Sequence, residues 1–461
     1  MDRYSTARAL ARVARSGLSI IFVAHSALAH CGEDGFAKWA ATRAVPITTV
    51  EATSNDSDLL PLQSAIGTAR VVALGEPTHG AHEPLEFRNR LFRFLVERMG
   101  FTAIAIESGF TESINARSFI EGGEGDAAAA TRTGVSNWES SFPENRELIQ
   151  WMRDYNAAAP SAGHRKVRFY GIDMTAGARE GGPWLAIDSA LTFLSRADPT
   201  TAQVIRQSLG DTLSGIDGSQ YGRLPAAAQA KFDTSIKDIV KAMRHSRESL
   251  IAASSDDEYH WALHNIDAAR QLAKCIPITP LTPPQEGNLA LWAARLECRE
   301  TAIAENVKWA LDNEGRQGRL LVFAHDAHVI NAEWAGSQMA KARKKPAAMG
   351  LYLRRAYGND LYTTLLVCET IPSELLLLPR KPLEEGSVES TLAGVGLPLM
   401  FLDVRAARQN KDAALWLSTR RSVDANGSAG LELLIPLKTA MDGFVFVNTL
   451  TPAVVPPDKA N

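Results

Sequence analysis

The chain has 461 residues, 45% of them hydrophobic and 22% charged. That is an ordinary globular balance, and the length exceeds what a single compact core usually fills, so one elaborated domain or two domains are expected. Lys and Arg number 49 against 52 Asp and Glu, a net charge of −3, so no basic field calls for nucleic acid and no like-charge tail is present.

The N-terminus reads as a separable piece. Arg3, Arg8, Arg12 and Arg15 precede "GLSIIFVAHSALA", and Ala27-Leu28-Ala29 offers a small-x-small cleavage site. This is the order of a secretory signal over residues 1–30, which would export the protein to the periplasm or beyond; otherwise it is cytoplasmic. His25 interrupts the apolar stretch, so the alternative is a ragged basic helix. Cys31 stands where a lipoprotein cysteine could, but His30 is a poor residue before it. No segment is long enough to span a bilayer.

Five apolar runs read as strands: "ARVVALGE" (69–76), "FTAIAIES" (101–108), "RKVRFYGIDM" (165–174), "GRLLVFAHDAH" (318–328) and "DLYTTLLVCET" (360–370). Most are nearly continuous rather than alternating, as strands covered on both faces are. Between the first two, "EPLEFRNRLFRFLVERMG" places Leu85, Leu91 and Leu95 at helical spacing, and Gly100 closes it. Strand, helix, strand is a βαβ unit, which implies an α/β fold of three layers around a largely parallel sheet. "GGEGDAAAATRTG" (122–134) reads as a loop.

The chain then changes character. "AAAQAKFDTSIKDIVKAMRHSRESLIAAS" and "DEYHWALHNIDAARQLAK" are amphipathic helices with no strand between them. The expected organisation is an α/β core over 45–185, a helical insertion over 186–287 returning through "PITPLTPPQEG", and the rest of the core over 288–455. "LECRETAIAENVKWALDNEG" (296–315) resumes it as a helix, and "PLMFLDV" and "DGFVFVNTL" are later strand candidates. The four cysteines, Cys31, Cys275, Cys298 and Cys368, match no zinc-ribbon or C-x-x-C spacing. Cys368 sits in an apolar run as core packing, and cysteine chemistry is not expected to be central.

The strand ends carry the chemistry. Ligands of open parallel sheets bind outside the carboxyl ends of the strands. Here the first run ends at Glu76 and His79, the second at Glu107, the third at Asp173 and the fourth at His325 and His328. Three of the ten histidines on one edge point to a shared site.

"GEPTHGAHEPLEFRNRLFRFLVE", "AIAIESGF", "FYGIDM", "CRETAIAENVKWAL" and "LVFAHDAHV", in this order, resemble the erythromycin esterase family. The resemblance runs from about residue 50 to 450 and includes "MGLYLRRAYGNDLYTTLLV" and "MDGFVFVN". It implies an α/β core with a helical subdomain walling the cleft, and hydrolysis of a macrolide lactone without a covalent intermediate or a metal, with macrolide resistance as the consequence. On this resemblance His79 matches the general base, Glu76 and Glu107 its acidic neighbours, and His325 and His328 the paired histidines near the carbonyl. Arg88 and Glu83 match polar positions on the first helix. Tyr352 stands in "MGLYL" where a macrolide esterase carries His, so the substrate contacts differ there.

The residues support that chemistry independently. No G-x-S-x-G occurs, so no nucleophile elbow is signalled and water must attack. Histidine is the side chain whose ordinary pKa, about 6.5, suits the base, and a carboxylate on its other nitrogen would fix the tautomer. Glu76 or Glu107 could be that carboxylate. His325 and His328 could donate to the oxyanion, each donor being worth about 3 kcal/mol. Simpler roles stand beside these: His79 as a helix cap, Glu76 as a helix N-terminal acid, Glu107 as an ion-pair partner of Arg88. Asp173 reads as a supporting acid, and Arg299 and Glu300 as residues pairing locally on their helix. His260 and His264 read as an exposed or cleft-lining helix face, and "HEPLE" only superficially evokes a zinc helix.

The expected substrate is a small-molecule ester, a macrolide in the first instance, with no nucleic-acid partner, no membrane span and no cofactor; the oligomeric state is not encoded legibly. Three rivals remain. The same side chains are a ligand set for zinc or iron, giving a metal-dependent hydrolase. A related fold could bind haem or iron. A biosynthetic lyase or cyclase could use the same base.

Overall fold

Five of the expected strands align in one sheet, and the reason for their continuous apolarity is visible in it. In the computed structural model, residues 35–136, 140–174, 182–210, 221–276, 287–335, 341–376, 382–425 and 431–454 are described. The segment read as a leader, Cys31, and nearly all of the 277–287 connection lie outside them.

The strands are β1 (Val45–Pro46), β2 (Val71–Glu76), β3 (Ala103–Gly109), β4 (Arg168–Asp173), β5 (Leu320–His325), β6 (Leu361–Thr370), β7 (Leu399–Asp403), β8 (Arg420–Ala425), β9 (Leu431–Pro436) and β10 (Gly443–Thr449). Eight form a sheet in the order β1-β7-β10-β6-β2-β5-β3-β4, and β8 with β9 forms a separate antiparallel pair. From β10 to β4 every pairing is parallel, while β7 runs antiparallel to both β10 and β1. Val71 and Ala73 join one hydrophobic core with Leu320 and Val322, whereas Val72 and Leu74 join the other with Leu321 and Phe323. Both faces of the sheet are therefore covered, which keeps these strands almost continuously apolar.

Helix α1 (His82–Met99) connects β2 to β3 and ends on Gly100, whose φ of +69° makes the left-handed cap. The stretch 122–134, expected to be a loop, contains helix α2 (Ala127–Gly134). Its Asp126 side chain accepts the Ala129 amide at 2.8 Å, and a run of four alanines follows. An N-cap plus the strongest helix former outweighs the flanking glycines.

From Gly182 to Cys275 the described residues hold only helices: α3 (Gly182–Leu194), α4 (Pro199–Leu209), α5 (Ala226–His245), α6 (Arg247–Ala252) and α7 (Asp256–Cys275). They share a third core built around Ile187, Leu191, Phe232, Ile239 and Ile266. Helix α8 (Leu289–Asn313) begins earlier than its apolar pattern suggested and leads back to β5. Cys275, the last residue of α7, is disulfide-bonded to Cys298 on α8, a link that the cysteine spacing did not suggest. Cys368 is buried in β6.

The fourth apolar run does not stay extended to residue 328. His325 ends β5, accepts the Ala327 amide on Nδ1 at 3.2 Å and caps the short helix α9 (Asp326–Val329), which carries His328. Helix α10 (Met349–Tyr357) follows and precedes β6. Among the described residues no helix is long and apolar enough to cross a membrane.

Candidate functional site

Four adjacent strands, β2, β5, β3 and β4, deliver their carboxyl ends to one place. Glu76 and His325 are direct neighbours across β2 and β5, and Gly109 is paired with Asp173 across β3 and β4. The chain leaves β2 through Pro77 and turns at Gly80, where φ is +77° and a side chain would be strained. Ala453 donates to Gly80 O at 2.8 Å and His82 to Thr451 O at 2.8 Å, so the C-terminal segment clips this turn in place.

In that turn His79 Nδ1 lies 2.6 Å from Glu76 Oε1. The carboxylate is buried, whereas the His79 side chain keeps 22% of its surface exposed. Of the two acids that the sequence left open as the partner of His79, Glu76 makes the contact. The His79 ring stands 5.3 Å from that of His325, centroid to centroid, and His325 stands 6.4 Å from His328.

His325 is held from both sides. Its Nδ1 accepts the Ala327 amide, and its Nε2 lies 3.2 Å from the Pro77 carbonyl, so the geometry favours a neutral ring that donates from Nε2. Burial, with His79 close by, pushes its pKa down to about 3.

His328 is the opposite case. Its Nδ1 lies 2.6 Å from Glu300 Oε1 and its Nε2 lies 3.1 Å from Glu107 Oε1. Burial works against its charge, but Glu107 and Glu300 prevail and raise its pKa to about 9. Glu107 also receives Arg299 Nη2 at 2.8 Å and the His325 amide at 2.9 Å. Although burial opposes ionisation, the His328 and Arg299 charges hold its carboxyl well below the usual range. Arg299 in turn meets Asp173 with Nη2 at 2.6 Å and Nε at 3.0 Å, a charge-assisted fork.

Arg299 and Glu300 thus correct the expectation of local pairing. Positions three and four residues away are Arg295, Leu296, Ala302 and Ile303 for Arg299, and Leu296, Glu297, Ile303 and Ala304 for Glu300. No opposite charge stands at helical spacing, so Arg299 reaches across to Asp173 and Glu107 on the strands and Glu300 to His328 on α9. That missing partner was the signal in the sequence. Glu300 is fully buried and its second oxygen accepts the Met349 amide at 2.7 Å.

The other expected residues lie around this cluster in different roles. Arg88 is buried, stacks over Phe323 at 4.9 Å and hydrogen-bonds Asn89 at 2.9 Å. Glu83 accepts both the amide and the hydroxyl of Thr451 at 2.7 Å, tying α1 to the C-terminal segment. Tyr352 donates to Glu297 Oε1 at 2.7 Å. His264 is buried rather than exposed: it stacks on Trp309 at 4.2 Å and meets Asn306 at 2.9 Å, while His260 is at the surface. Among the described residues no three His, Cys, Asp or Glu side chains converge as metal ligands do.

Behind the cluster Asp326 is fully buried, and burial together with Glu76 raises its pKa well above the usual carboxylate value. A Cβ on Gly75 would come within 1.8 Å of Asp326 Oδ1, which explains the glycine beside Glu76.

The family model of erythromycin esterase matches residues 96–450. The chain belongs to the erythromycin esterase family. That is a family of hydrolases, and its members agree with the fold. The chain is 24% identical over 394 residues to an erythromycin esterase type II of Escherichia coli, covering 80% of this chain and 89% of that protein. Its fold superimposes on an erythromycin esterase EreC mutant in an open conformation with a TM-score of 0.65 at 15% identity, covering 90% of this chain and 98% of the other. It superimposes on a succinoglycan biosynthesis protein with a TM-score of 0.72 at 21% identity, covering 92% and 99%. The two superpositions establish a shared architecture.

Proposed function

We propose that this family member hydrolyses a carboxylic ester, with a macrocyclic lactone as the first candidate, by direct attack of a water molecule that His79 deprotonates. The single observation that carries the proposal is the 2.6 Å contact between His79 Nδ1 and buried Glu76, on a ring that still reaches solvent. A carboxylate on Nδ1 leaves Nε2 as the basic nitrogen and stabilises the imidazolium as it forms.

In the proposed reaction water loses a proton to His79 and its oxygen adds to the carbonyl carbon. The tetrahedral oxyanion collapses, the alcohol oxygen leaves and His79 returns the proton to it. Acid and alcohol are the products, with no bond to the protein at any stage. His328, kept protonated near neutrality by Glu107 and Glu300, has both ring nitrogens on those carboxylates, so it acts on the oxyanion through its charge and not as a hydrogen-bond donor, with Arg299 beside it. His325 serves differently from the expected donor role: both its nitrogens are spent on the backbone, and it fixes the wall between His79 and His328.

The macrolide reading is supported by the Escherichia coli relative, which bears the name erythromycin esterase. Export is part of the same proposal; the Cys275–Cys298 bond supports it, because disulfides persist in oxidising compartments. The test is mass spectrometry of erythromycin incubated with the pure protein in ¹⁸O-water. One added water, labelled in a single turnover, is the expected result. An acyl adduct on any side chain would refute the direct-water scheme, and an unchanged macrolide would remove the substrate assignment.

A further inference from the structure

Four consecutive residues of α8 are each tied to a different part of the molecule. Glu297 holds the Ala347 amide and the Tyr352 hydroxyl, Cys298 is bonded to Cys275, Arg299 holds Asp173 and Glu107, and Glu300 holds His328 and the Met349 amide. The disulfide is the only covalent tie of the four, and it joins the last residue of the helical region to the residue immediately before Arg299.

Its two cysteines differ in exposure. Cys275 is 1% exposed, whereas Cys298 is partly exposed and lines a cavity of about 640 Å³ on α8. The cavity floor is alanine-rich, and Lys274, Arg343 and Lys344 line it against one carboxylate, Glu297. A thiolate carries negative charge to the sulfur that it attacks, and a second negative group on the same small thiol would be drawn by the same cations.

We propose that Cys275–Cys298 is a thiol-exchange site, opened at Cys298 by an anionic low-molecular-weight thiol entering this cavity, and that opening it loosens Arg299 and Glu300 in the catalytic cluster. The thiolate sulfur bonds to Cys298 Sγ, the S–S electron pair leaves with Cys275 Sγ, and that sulfur takes a proton. A second thiolate then attacks the mixed disulfide and releases an external disulfide and Cys298 as thiol. Two electrons pass from two external thiols to the protein, and an external disulfide reverses the sequence.

The exchange half stands without any enzymatic activity; the effect on turnover rests on the hydrolase reading. The full chain is incubated with reduced glutathione or with cysteamine at equal thiolate concentration, and the adduct is followed by intact mass and mapped by peptide. Glutathione reacting about tenfold faster, with its adduct on Cys298, is expected. An adduct on Cys275, no adduct with either thiol, or equal rates would overturn the proposal. Arg343→Glu with Lys344→Glu should abolish the preference, and a preference that survives both changes counts against the cavity. Amide exchange at residues 297–300 should rise in the reduced protein and fall again on reoxidation with oxidised glutathione. Unchanged exchange would break the link to Arg299, whether or not hydrolysis has been observed. Where hydrolysis is observed, kcat should fall on reduction and recover on reoxidation, while the Cys275→Ser/Cys298→Ser double variant stays insensitive to glutathione.

Discussion

Glu300 on α8 and His328 on α9 approach to 2.6 Å although 28 residues separate them in sequence, and through this contact a helix outside the sheet sets the charge of a histidine in the cluster. Replacing Glu300 by Gln keeps the shape and removes one of the two charges that raise His328. The alkaline limb of the pH–rate profile, assigned to loss of the His328 proton, should then move to lower pH. The check is kcat/KM against pH in both proteins; an unmoved limb would separate Glu300 from the charge on His328.

His79→Ala should lower ester hydrolysis by about 10² to 10⁴ while the fold persists, because a positioned general base contributes on that scale. Glu76→Gln should lower kcat as well, since an amide no longer stabilises the imidazolium. Circular dichroism and steady-state kinetics check both, and wild-type turnover in His79→Ala would remove this residue from the base role.

The histidines set opposite pH dependences of stability. His328 is raised from 6.5 to about 9, so its contribution is complete below 6.5 and is lost as pH rises through 9. His325 is depressed to about 3 and His264 to about 4, so the unfolded chain binds more protons between these values and 6.5. Stability from these two groups is present above 6.5 and falls as the solution is acidified. The lowered Glu107 acts in the same direction at still lower pH, its contribution being present above its unfolded pKa and lost on acidification. Thermal midpoints should therefore peak near pH 6.5. In His328→Gln the decline on the alkaline side should flatten, and an unaltered decline would show that other groups dominate it.

Gly75→Ala should destabilise the protein by about 1–3 kcal/mol, the usual range for overpacking, since the new methyl meets Asp326 Oδ1 and Val329 Cγ2. Activity should fall with it because Glu76 is the next residue. Urea melts of Gly75→Ala and of Gly75→Ala/Asp326→Ala provide the check: the second change should return part of the loss, and no recovery would place the strain elsewhere.

Reduction of Cys275–Cys298 frees a loop whose ends are 23 residues apart, which by chain entropy should cost about 3 kcal/mol. Urea melts with and without reductant measure it, and coincident melts would show that the unfolded chain gains nothing from opening the loop.

Much of this was written along the chain. The strands β2 to β6 follow from apolar runs, because burial on both faces leaves a local imprint, and Glu76, Glu107, Asp173 and His325 at their ends follow from where apolarity stops. Family membership was legible in the order of the motifs. Other features had no local imprint. β5 inserts between β2 and β3 although more than two hundred residues follow β3 before it begins, and that order alone brings His325 between Glu76 and Glu107. Parallel strand order is chosen by packing between distant segments, so no window of sequence contains it. The same holds for Arg299 reaching strand ends and Glu300 reaching His328, for the disulfide across α7 and α8, and for His325 spending both nitrogens on backbone. The sequence determined which ionisable groups stand at the strand ends; the tertiary structure decided which of them meet, because partner choice is a long-range energy and periodicity is a short-range one.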